Sequence, residues 1–333
     1  MTRPDPVGLL DPATRAWLTR HALPGARLHE VDPLPGGSTN DMALLTAQPA
    51  DAPGAERYVL RRYRPSGSRV PRNTCAVEVA VLGRAAAGTV PVTTVVAADP
   101  HGRVTGRPTL LYRFVDGTPL SQVLADGPVS GEARALGRAV GAVLARIGRV
   151  RLPRPGTFGD SSLVPAPDGA APLGDLPGFV ERCLATSAAD GPLSRTDAAA
   201  LRALARRGPR ALAAVAGERS LVHCDFNPKN VLVQRRHGQW AVAAVLDWEL
   251  AFSGSPLFDV GNMLRFAHEY PPAFTAGFVD GFRGGNGRLP VDWLRLSRTL
   301  DLFALADILT APPDPAYFAR ARAVLCRSAA DRN

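Results

Sequence analysis

The sequence predicts an α+β fold with two lobes, because its character changes at "DGTP" (116–119). Before that point, short β-type segments separated by turn residues surround a single helical stretch. After it, long helical stretches with an apolar face dominate. The chain has 333 residues, which is enough for two lobes with a core in each. We therefore expect an N-terminal lobe of strands around one helix and a mostly helical C-terminal lobe.

The N-terminal lobe is predicted from five β-type segments and one helix. The strands are expected at 28–34, 42–48, 57–63, 90–98 and 109–115. A loop with two glycines and small polar residues, "PGGSTND" (35–41), separates the first two strands. The helix is expected over 72–88, where Gly88 is typical of a helix end. These elements account for most of the chain before the break.

The C-terminal lobe begins with a helix predicted over 130–150, for which Ser130 is the expected N-cap. Its apolar residues fall on one face: Leu136, Val140, Val143, Leu144 and Ile147. An irregular connection rich in proline and glycine is expected over 151–178. Further helical stretches are predicted over 195–215 and 287–328, the second interrupted at "PPDP" (312–315).

The composition limits the class of partner. The net charge of +9 favours a phosphate-bearing ligand and weakly disfavours a polycation. The arginines are dispersed and do not alternate with aromatic residues, which argues against a nucleic-acid-binding protein. Neither a membrane span nor a signal peptide is visible, and the four cysteines are widely separated. We expect a cytoplasmic protein that binds neither nucleic acid nor membrane.

A spaced set of polar residues predicts the chemistry. "SLVHCDFNPKNVLV" (220–233) contains His223, Asp225 and Asn230, and the β-type segment 240–250 carries Asp247 towards its end. Phosphoryl transfer needs a carboxylate that accepts or orients the hydroxyl proton, together with oxygen ligands for Mg²⁺. An Asp and an Asn five residues later can provide the base and one ligand from a single loop. An Asp on the next strand then provides the second ligand.

These segments, "LVHCDFNPKNVLV" and "VLDWELAFSGSPLFDVGNML", resemble the catalytic core of the aminoglycoside phosphotransferase/choline kinase family. The resemblance extends over about 28–275 and loosely over the last helices. It implies a bilobal protein-kinase-like fold with an antiparallel N-terminal sheet. It also implies a nucleotide-binding lobe over 1–115 that ends in a hinge at 110–117. The remainder, 118–333, would be the helical lobe with the catalytic loop at 221–233 and the substrate pocket.

The resemblance assigns roles at the catalytic loop. Asp225 would be the catalytic base, and His223 would support the loop. Asn230 and Asp247 would hold Mg²⁺. Asp259 would anchor the loop by accepting backbone hydrogen bonds.

The resemblance also assigns the donor site, for ATP or GTP. Arg61 stands where the family usually has lysine, and Glu78 would be its ion-pair partner. The hinge would face the purine with the Arg113 carbonyl and the Val115 amide. The loop over the phosphates would contribute mainly backbone N–H groups, at Ser38, Thr39 and Asn40.

Lys229 is the only lysine among 39 basic residues. It lies four residues after the predicted base and next to a predicted metal ligand. Two interpretations stay open at this stage: contact with a phosphate or with the substrate, or a solvated position on the loop. The position of Glu249 also stays open, since this residue can lie near the metal or be exposed.

The implied reaction is phosphorylation of a small molecule that carries a hydroxyl group, with antibiotic resistance or self-resistance as its expected role. Glu269, Asp301 and Tyr270 are candidates for substrate contact. The positive charge favours a neutral or weakly charged acceptor over a polycationic one. A kinase of a primary metabolite, choline-like or sugar, is the main alternative. Arg61 also motivates a catalytically silent nucleotide-binding module, whereas D-W-E in place of D-F-G argues against a protein kinase. The purine preference and the oligomeric state stay open.

Overall fold

The structure is a computed structural model, and it describes residues 10–34, 40–50, 53–64, 73–165, 174–187, 193–312 and 314–330. Its N-terminal part contains a five-stranded antiparallel sheet in the order β1-β2-β3-β5-β4. The strands are β1 (Arg27–Pro33), β2 (Asp41–Gln48), β3 (Glu56–Arg62), β4 (Val95–Asp99) and β5 (Thr109–Arg113). All five predicted strands are thus confirmed. β4 begins later than expected, in a segment where Pro91 cannot donate to a ladder.

Helices complete the N-terminal part. Helix α1 (Pro12–Trp17) continues as a π-helical turn, Leu18–Ala22, and packs Trp17 and Leu18 into a small core with strand residues such as Leu45. Helix α2 (Cys75–Ala87) is the predicted helix, and its N-cap Thr74 accepts a hydrogen bond from the backbone N–H of Val77. The buried side of α2 belongs to the larger core that extends into the rest of the chain.

The second part of the chain is mostly helical. The described helices are α3 (Leu120–Ala125), α4 (Ser130–Arg149), α5 (Leu176–Thr186), α6 (Arg195–Ala205), α7 (Gly208–Val215), α8 (Leu257–Leu264), α9 (Pro272–Gly284), α10 (Trp293–Thr310) and α11 (Pro315–Ala330), with a 3₁₀ turn at Ala267–Glu269. The apolar face predicted for α4 is buried. The predicted N-cap is wrong, because Ser130 is the first helical residue and Val129 precedes it without a side-chain cap.

The stretch predicted as one helix over 195–215 forms two. It breaks between α6 and α7, and α7 carries a proline in its first turn. Proline lacks the N–H that a continuous helix would need, so it fits the start of a new helix. The break predicted at 312–315 is confirmed, since α10 ends at Thr310 and α11 begins at Pro315.

Helices α4 and α9 approach each other closely at glycines. A Cβ added at Gly137 or Gly141 of α4 would lie 2.2 Å or 2.1 Å from a carbonyl oxygen of α9. The reverse holds for Gly277 and Gly281 of α9, where the distance to a carbonyl oxygen of α4 would be 2.2 Å. A spacing of four residues puts each pair on one helix face. The crossing therefore depends on the absence of side chains at these positions.

Two short sheets carry the segment with the predicted motif. Strand β7 (Ser220–Val222) pairs with β10 (Phe252–Gly254), and β6 (Thr118–Pro119), β8 (Val231–Arg236) and β9 (Gln239–Val245) form a three-stranded sheet. The β8–β9 hairpin turns at His237 and Gly238, which both have positive φ, as a tight two-residue hairpin turn requires. The loops 223–230 and 246–251 leave these neighbouring strands. None of the described helices is long and apolar enough to cross a membrane.

Candidate active site

A buried carboxylate anchors the loop 223–230. Asp259, in the first turn of α8, accepts hydrogen bonds from the backbone N–H groups of His223 and Cys224, each at 2.8 Å. Cys224 has a φ of 70°, an uncommon backbone conformation that these contacts help to hold. The anchoring role predicted for Asp259 is confirmed by these contacts.

The ring of His223 joins this loop to the next one. Its Nε2 lies 2.8 Å from the carbonyl oxygen of Leu246, and its Nδ1 lies 3.2 Å from the backbone nitrogen of Asp225. Because a carbonyl only accepts and an N–H only donates, the proton is on Nε2 and the ring is neutral. Burial lowers the pKa of His223 to about 4, consistent with a neutral ring. His223 thus supports the loop, as predicted.

Asp225 is fixed by two side-chain amides. Asn227 donates to its Oδ1 and Asn230 donates to its Oδ2, both at 2.7 Å. Burial raises the pKa of Asp225 to about 6, although the charge of Arg265 and the two amides act in the opposite direction. The carboxylate therefore has a single orientation and retains a lone pair on each oxygen for a further donor.

Asn230 and Asp247 lie on neighbouring backbone segments. The backbone N–H of Leu246 donates to the carbonyl oxygen of Asn230 at 2.8 Å, which places Asp247 next to this pair. The amide nitrogen of Asn230 faces Asp225, so the Oδ1 of Asn230 is left to act as a metal ligand. The Asp247 side chain is 42% exposed. Both residues thus offer oxygen to a ligand.

This donor set fits Mg²⁺. In the part of the chain that the structure describes, no cluster of three or more His, Cys, Asp or Glu residues could form a closed metal site. Mg²⁺ is usually held by one or two protein oxygens together with phosphate oxygens and water. Asn230 and Asp247 could supply the protein oxygens.

Arg61 on β3 bridges carboxylates from both parts of the chain. Its Nη1 donates to Glu78 Oε1 at 2.9 Å, and its Nη2 donates to Glu249 Oε2. Both Nη atoms lie 3.3 Å from Asp247 Oδ1. Burial alone would lower the pKa of Arg61, but the surrounding negative charges, led by Glu78, raise it overall. The predicted Arg61–Glu78 ion pair is confirmed.

Two further side chains complete this cluster. Tyr63 donates from its hydroxyl to Glu78 Oε2 at 2.6 Å. Asn40 donates from its amide to Glu249 Oε2 at 3.0 Å, and its Oδ1 accepts from the backbone N–H of Arg64. Glu249, whose position the sequence left open, is only 6% exposed. It therefore belongs to the polar network around Arg61.

The alternation of β3 explains why Arg61 occupies this position rather than Arg62. Arg62 points to the other face of the sheet, where it donates to Asp11 Oδ2 at 2.8 Å and to the carbonyl oxygen of Thr105 at 2.9 Å. The two arginines therefore bind partners on opposite faces of the sheet.

A cavity of about 450 Å³ adjoins Arg61 and is lined by those predicted donor-site residues that the structure describes. Its lining is partly polar and partly apolar. The polar lining residues include Asn40, Arg61, Glu78, Lys229, Asn230, Asp247 and Glu249, and the apolar ones include Leu34, Met42, Val59, Leu82, Phe114, Leu232 and Val245. A cavity that combines apolar and charged lining residues suits a ring system joined to phosphates.

The predicted hinge also lines this cavity, with Arg113, Phe114 and Val115. The carbonyl oxygen of Arg113 accepts from the hydroxyl of Thr93 at 2.6 Å, which leaves it a second lone pair. Whether it meets a purine stays a prediction. Ser38 and Thr39, predicted to cover phosphates, lie outside the described residues.

A second cavity, of about 310 Å³, is also lined by residues of the loop. It is lined by Asn227, Pro228 and Lys229 of the loop, by Ser121, Leu124 and Ala125 of α3, and by Asn262, Arg265, Phe266, Glu269, Tyr270, Tyr317 and Arg320. Lys229 lines both cavities. Glu269 and Tyr270, predicted to contact substrate, thus line the same cavity as residues of the predicted catalytic loop.

Asp301, the third predicted substrate residue, is not among the residues that line this second cavity. It is 5% exposed, and its carboxylate forms a two-point ion pair with Arg265 at 2.6 and 2.8 Å. Its Oδ1 also accepts from the amide of Asn262 at 2.8 Å. The substrate contact predicted for Asp301 therefore fits poorly, because its oxygens already hold the residues of the cavity wall.

The N-terminal part combines an antiparallel sheet with helices, the second part is mostly helical, and the loop of Asp225 contributes to two cavities. This arrangement is that of a phosphotransferase with a protein-kinase-like fold. The chain belongs to the phosphotransferase enzyme family (APH), whose family model matches residues 30–296. It is accordingly a small-molecule kinase with a hydroxyl group as acceptor. None of the curated proteins matches the sequence as a clear relative.

Solved structures show the same fold at low identity. The aminoglycoside phosphotransferase APH(4)-Ia, as a thermostable mutant with AMP-PNP and hygromycin B, gives a TM-score of 0.64 at 19% identity over 96% of this chain and 98% of that chain. Aminoglycoside 2'-phosphotransferase-IIIa with GDP gives 0.64 at 16% identity over 96% and 98%. Choline kinase LicA from Streptococcus pneumoniae gives 0.59 at 13% identity over 95% and 96%.

Sequence reasoning missed part of the second cavity. Asn262 on α8 and Arg265, the residue at the C-terminal cap of α8, are three positions apart, and both contact Asp301. Their spacing from the anchor Asp259, three and six residues, puts all three on neighbouring turns of one helix. This periodicity was the signal that could have found them. Arg320 and Tyr317 come from the last helix, which carries no comparable motif.

Proposed function

We propose that the protein transfers the γ-phosphoryl group of ATP or GTP to a hydroxyl group of an antibiotic or a similar metabolite, and thereby inactivates it. One observation carries this proposal: the loop of Asp225 contributes residues to two cavities, and Lys229 of that loop lines both. A donor in the larger cavity and an acceptor in the smaller one would then meet at the loop. The relatives of this fold that are solved with AMP-PNP or GDP support a nucleotide donor.

In the proposed reaction the acceptor hydroxyl gives its proton to the Asp225 carboxylate while its oxygen attacks the γ-phosphorus. The bond from that phosphorus to the bridging oxygen breaks, and the nucleoside diphosphate leaves. The amides of Asn227 and Asn230 hold the carboxylate in place for this transfer. Mg²⁺, held by Asn230 and Asp247, would neutralise charge on the phosphates.

The proposal divides the chain into a nucleotide-binding lobe over 1–115 with a hinge at 110–117, and a helical lobe over 118–333. Residues from both sides of this division line the larger cavity, from Leu34 to Glu249. Arg61 would position phosphates through the guanidinium that Glu78 and Glu249 hold in place. The division at 118 agrees with the pairing of β6 with β8 rather than with the five-stranded sheet.

We further propose a neutral or weakly charged acceptor rather than an aminoglycoside or a choline-like cation. The faces of Phe266 and Tyr317 already carry protein cations, with Arg320 at 4.1 Å from the first ring and Lys229 at 4.7 Å from the second. Glu269 accepts from Arg320 at 2.6 Å. A cationic ligand would therefore find these aromatic faces and this carboxylate occupied.

The test is incubation of the protein with Mg²⁺, ATP or GTP, and a panel of antibiotics and hydroxylated metabolites. Mass spectrometry then detects a mass gain of one phosphoryl group. We expect product with wild type, and a loss of about 10²–10⁴-fold in kcat for Asp225→Ala, the range that a positioned base contributes. Nucleotide binding should persist in this variant, because Asp225 is not among the residues that line the larger cavity.

Product from Asp225→Ala at the wild-type rate would refute the assignment of the base. Nucleotide binding without any product would favour the silent binding module. A choline or sugar phosphate as the sole product would favour the primary-metabolite kinase.

A further inference from the structure

The charges of the smaller cavity, defined above by its lining from Ser121 to Arg320, are unevenly balanced. It is lined by three cationic side chains, Lys229, Arg265 and Arg320, and by a single carboxylate, Glu269. Arg320 is paired with Glu269, and Arg265 is paired with Asp301 behind the wall. Lys229 has no carboxylate partner among the ion pairs of the described residues. Both arginines are thus paired with a carboxylate, and the remaining positive charge that lines the cavity is that of Lys229.

Lys229 is exposed, and its ammonium lies 4.7 Å from the ring centre of Tyr317. The backbone N–H of Lys229 donates to Asn227 Oδ1 within the loop. An exposed ammonium that lines a cavity is placed to meet an anion that enters with the ligand.

Asn262 provides a second, independent feature. It lines the same cavity and is 4% exposed. Its amide nitrogen donates to Asp301 Oδ1 at 2.8 Å, which fixes the orientation of the side chain, because a flipped amide would place two oxygens against each other. Its Oδ1 has no hydrogen-bond partner among the described residues. A buried acceptor without a donor is unfavourable, and a donor on the ligand would satisfy it.

We propose that Lys229 and Asn262 form an acceptor-recognition pair, and that the acceptor is a hydroxyl compound bearing one anionic group. Lys229 binds the carboxylate, sulfate or phosphate ester, and Asn262 Oδ1 accepts a hydrogen bond from a second hydroxyl. The inference rests on the proposed function, because it concerns the acceptor of that same site. It narrows the class of acceptor proposed above, neutral or weakly charged compounds, to compounds with a single negative charge.

Lys229 is the only lysine of the chain, and this makes the proposal directly testable. An amine-selective N-hydroxysuccinimide ester would label Lys229, and the α-amino group serves as the internal reference. The full chain is first saturated with AMP-PNP and Mg²⁺, so that the larger cavity is filled. Labelling of the peptide that contains Lys229 is then followed by mass spectrometry with gluconate, gluconamide or choline added.

The three probes are hydroxyl compounds with charges of −1, 0 and +1. We expect half-protection of Lys229 at a concentration at least ten times lower for gluconate than for gluconamide or choline. Equal protection by the three probes, or none by gluconate, would overturn the proposal. Protection by AMP-PNP alone that gluconate does not increase would assign Lys229 to the nucleotide instead.

Charge variants provide a second readout, the binding of the same probes measured by saturation-transfer NMR. Lys229→Arg should retain the preference for gluconate over choline, whereas Lys229→Glu should reverse it. Because Lys229 is exposed, both variants should fold. Asn262→Ala should weaken the binding of gluconate at least threefold without reversing the preference for gluconate over choline. The inference would be contradicted if the preference for gluconate over choline did not change with the sign of the charge at position 229.

Failure of the proposed function would look different. It would show as absence of nucleotide binding, or of any phosphorylated product across the panel, while protection of Lys229 by gluconate persisted. Phosphorylated product together with a preference for choline would retain the proposed function and remove only this inference.

Discussion

Arg61 shows how a single residue type changes the arrangement of a site. A lysine ammonium is one point charge, whereas a guanidinium presents several donors in a fixed plane. Here that plane reaches Glu78 on α2 with one nitrogen and Glu249 with another. The two carboxylates come from segments 171 positions apart in the chain, and Arg61 joins them.

Substitution of Arg61 should act mainly on nucleotide use. Arg61→Ala leaves buried carboxylates in the lining of the larger cavity without a counter-charge, so we expect at least a tenfold fall in kcat/KM for the nucleotide. Arg61→Lys retains one ion pair and should retain much of the activity. Steady-state kinetics with varied nucleotide measure both variants.

Arg62→Ala is the matched control, because Arg62 faces the opposite side of the sheet. It should leave the nucleotide KM unchanged, whatever its effect on the free energy of unfolding. Unchanged nucleotide kinetics in Arg61→Ala would show that Arg61 does not position the donor.

Glu249→Gln should depend on which residue is at position 61. In the wild-type background it removes the charge that Arg61 Nη2 contacts, and we expect a measurable loss in nucleotide kcat/KM. In an Arg61→Lys background the loss should be smaller, because a single ammonium cannot hold Glu78 and Glu249 in the same way.

A double-mutant cycle on kcat/KM gives the coupling between positions 61 and 249, for which we expect about 0.5–3 kcal/mol, as for residues in contact. Strictly additive effects would show that Glu249 acts independently of Arg61.

At the scale of single residues, the sequence predicted the site residues that belong to a sequence motif. It missed the site residues that only the folded chain brings together. Asp225, Asn230 and Asp247 are spaced by a loop and a hairpin, so their proximity follows from local structure. Glu249 could not be placed, because it lies four positions after the end of β9, where a loop side chain can face either inward or outward. Asp301 was misjudged, since its buried partner Arg265 comes from another helix.

At the scale of elements, helix α4 was predicted well because its apolar periodicity is strong. The sequence did not reveal what α4 packs against. The glycines that determine the close contact, Gly137 and Gly141, meet α9 through its backbone carbonyls. A pattern of small residues predicts close approach only once the partner is known, and α9 carries the reciprocal pair, Gly277 and Gly281.

Filling this helix contact should destabilise the protein. Gly141→Ala places a Cβ 2.1 Å from a backbone oxygen of α9, so the helices must separate. We expect the free energy of unfolding to fall by about 1–3 kcal/mol, as for other overpacked cores. Gly131→Ala on the same helix meets no atom within 4 Å. It should be neutral, or stabilise by up to about 1 kcal/mol through helix propensity.

Urea unfolding of both variants measures this difference. Equal midpoints for Gly141→Ala and Gly131→Ala would mean that α4 and α9 can move apart without cost.

At the scale of the whole molecule, the two parts of the chain meet at the D-W-E segment. Asn73, just before α2, donates from its side chain to the carbonyl oxygens of Trp248 and Ala251 at 3.2 and 2.9 Å. Its backbone N–H donates to the carbonyl oxygen of Glu249 at 2.6 Å. Together with the contacts of Arg61 and Asn40, these bonds attach the N-terminal part to the segment that carries Asp247. The sequence predicted two lobes but could not predict these bonds, which arise only from the folded arrangement.

Nucleotide binding should therefore stabilise the chain as one unit. At a nucleotide concentration of 100 times Kd, binding adds about 2.7 kcal/mol to the free energy of unfolding. With ATP or GTP and Mg²⁺ we expect a single thermal transition that shifts upward, because residues from Leu34 to Glu249 line the same cavity. Removal of the metal with a chelator, or Asp247→Asn, should reduce the shift. Differential scanning calorimetry measures it, with Arg62→Ala as a control that should shift like wild type. Two separate transitions, of which only one responds to nucleotide, would show that the contacts at the D-W-E segment do not couple the two parts.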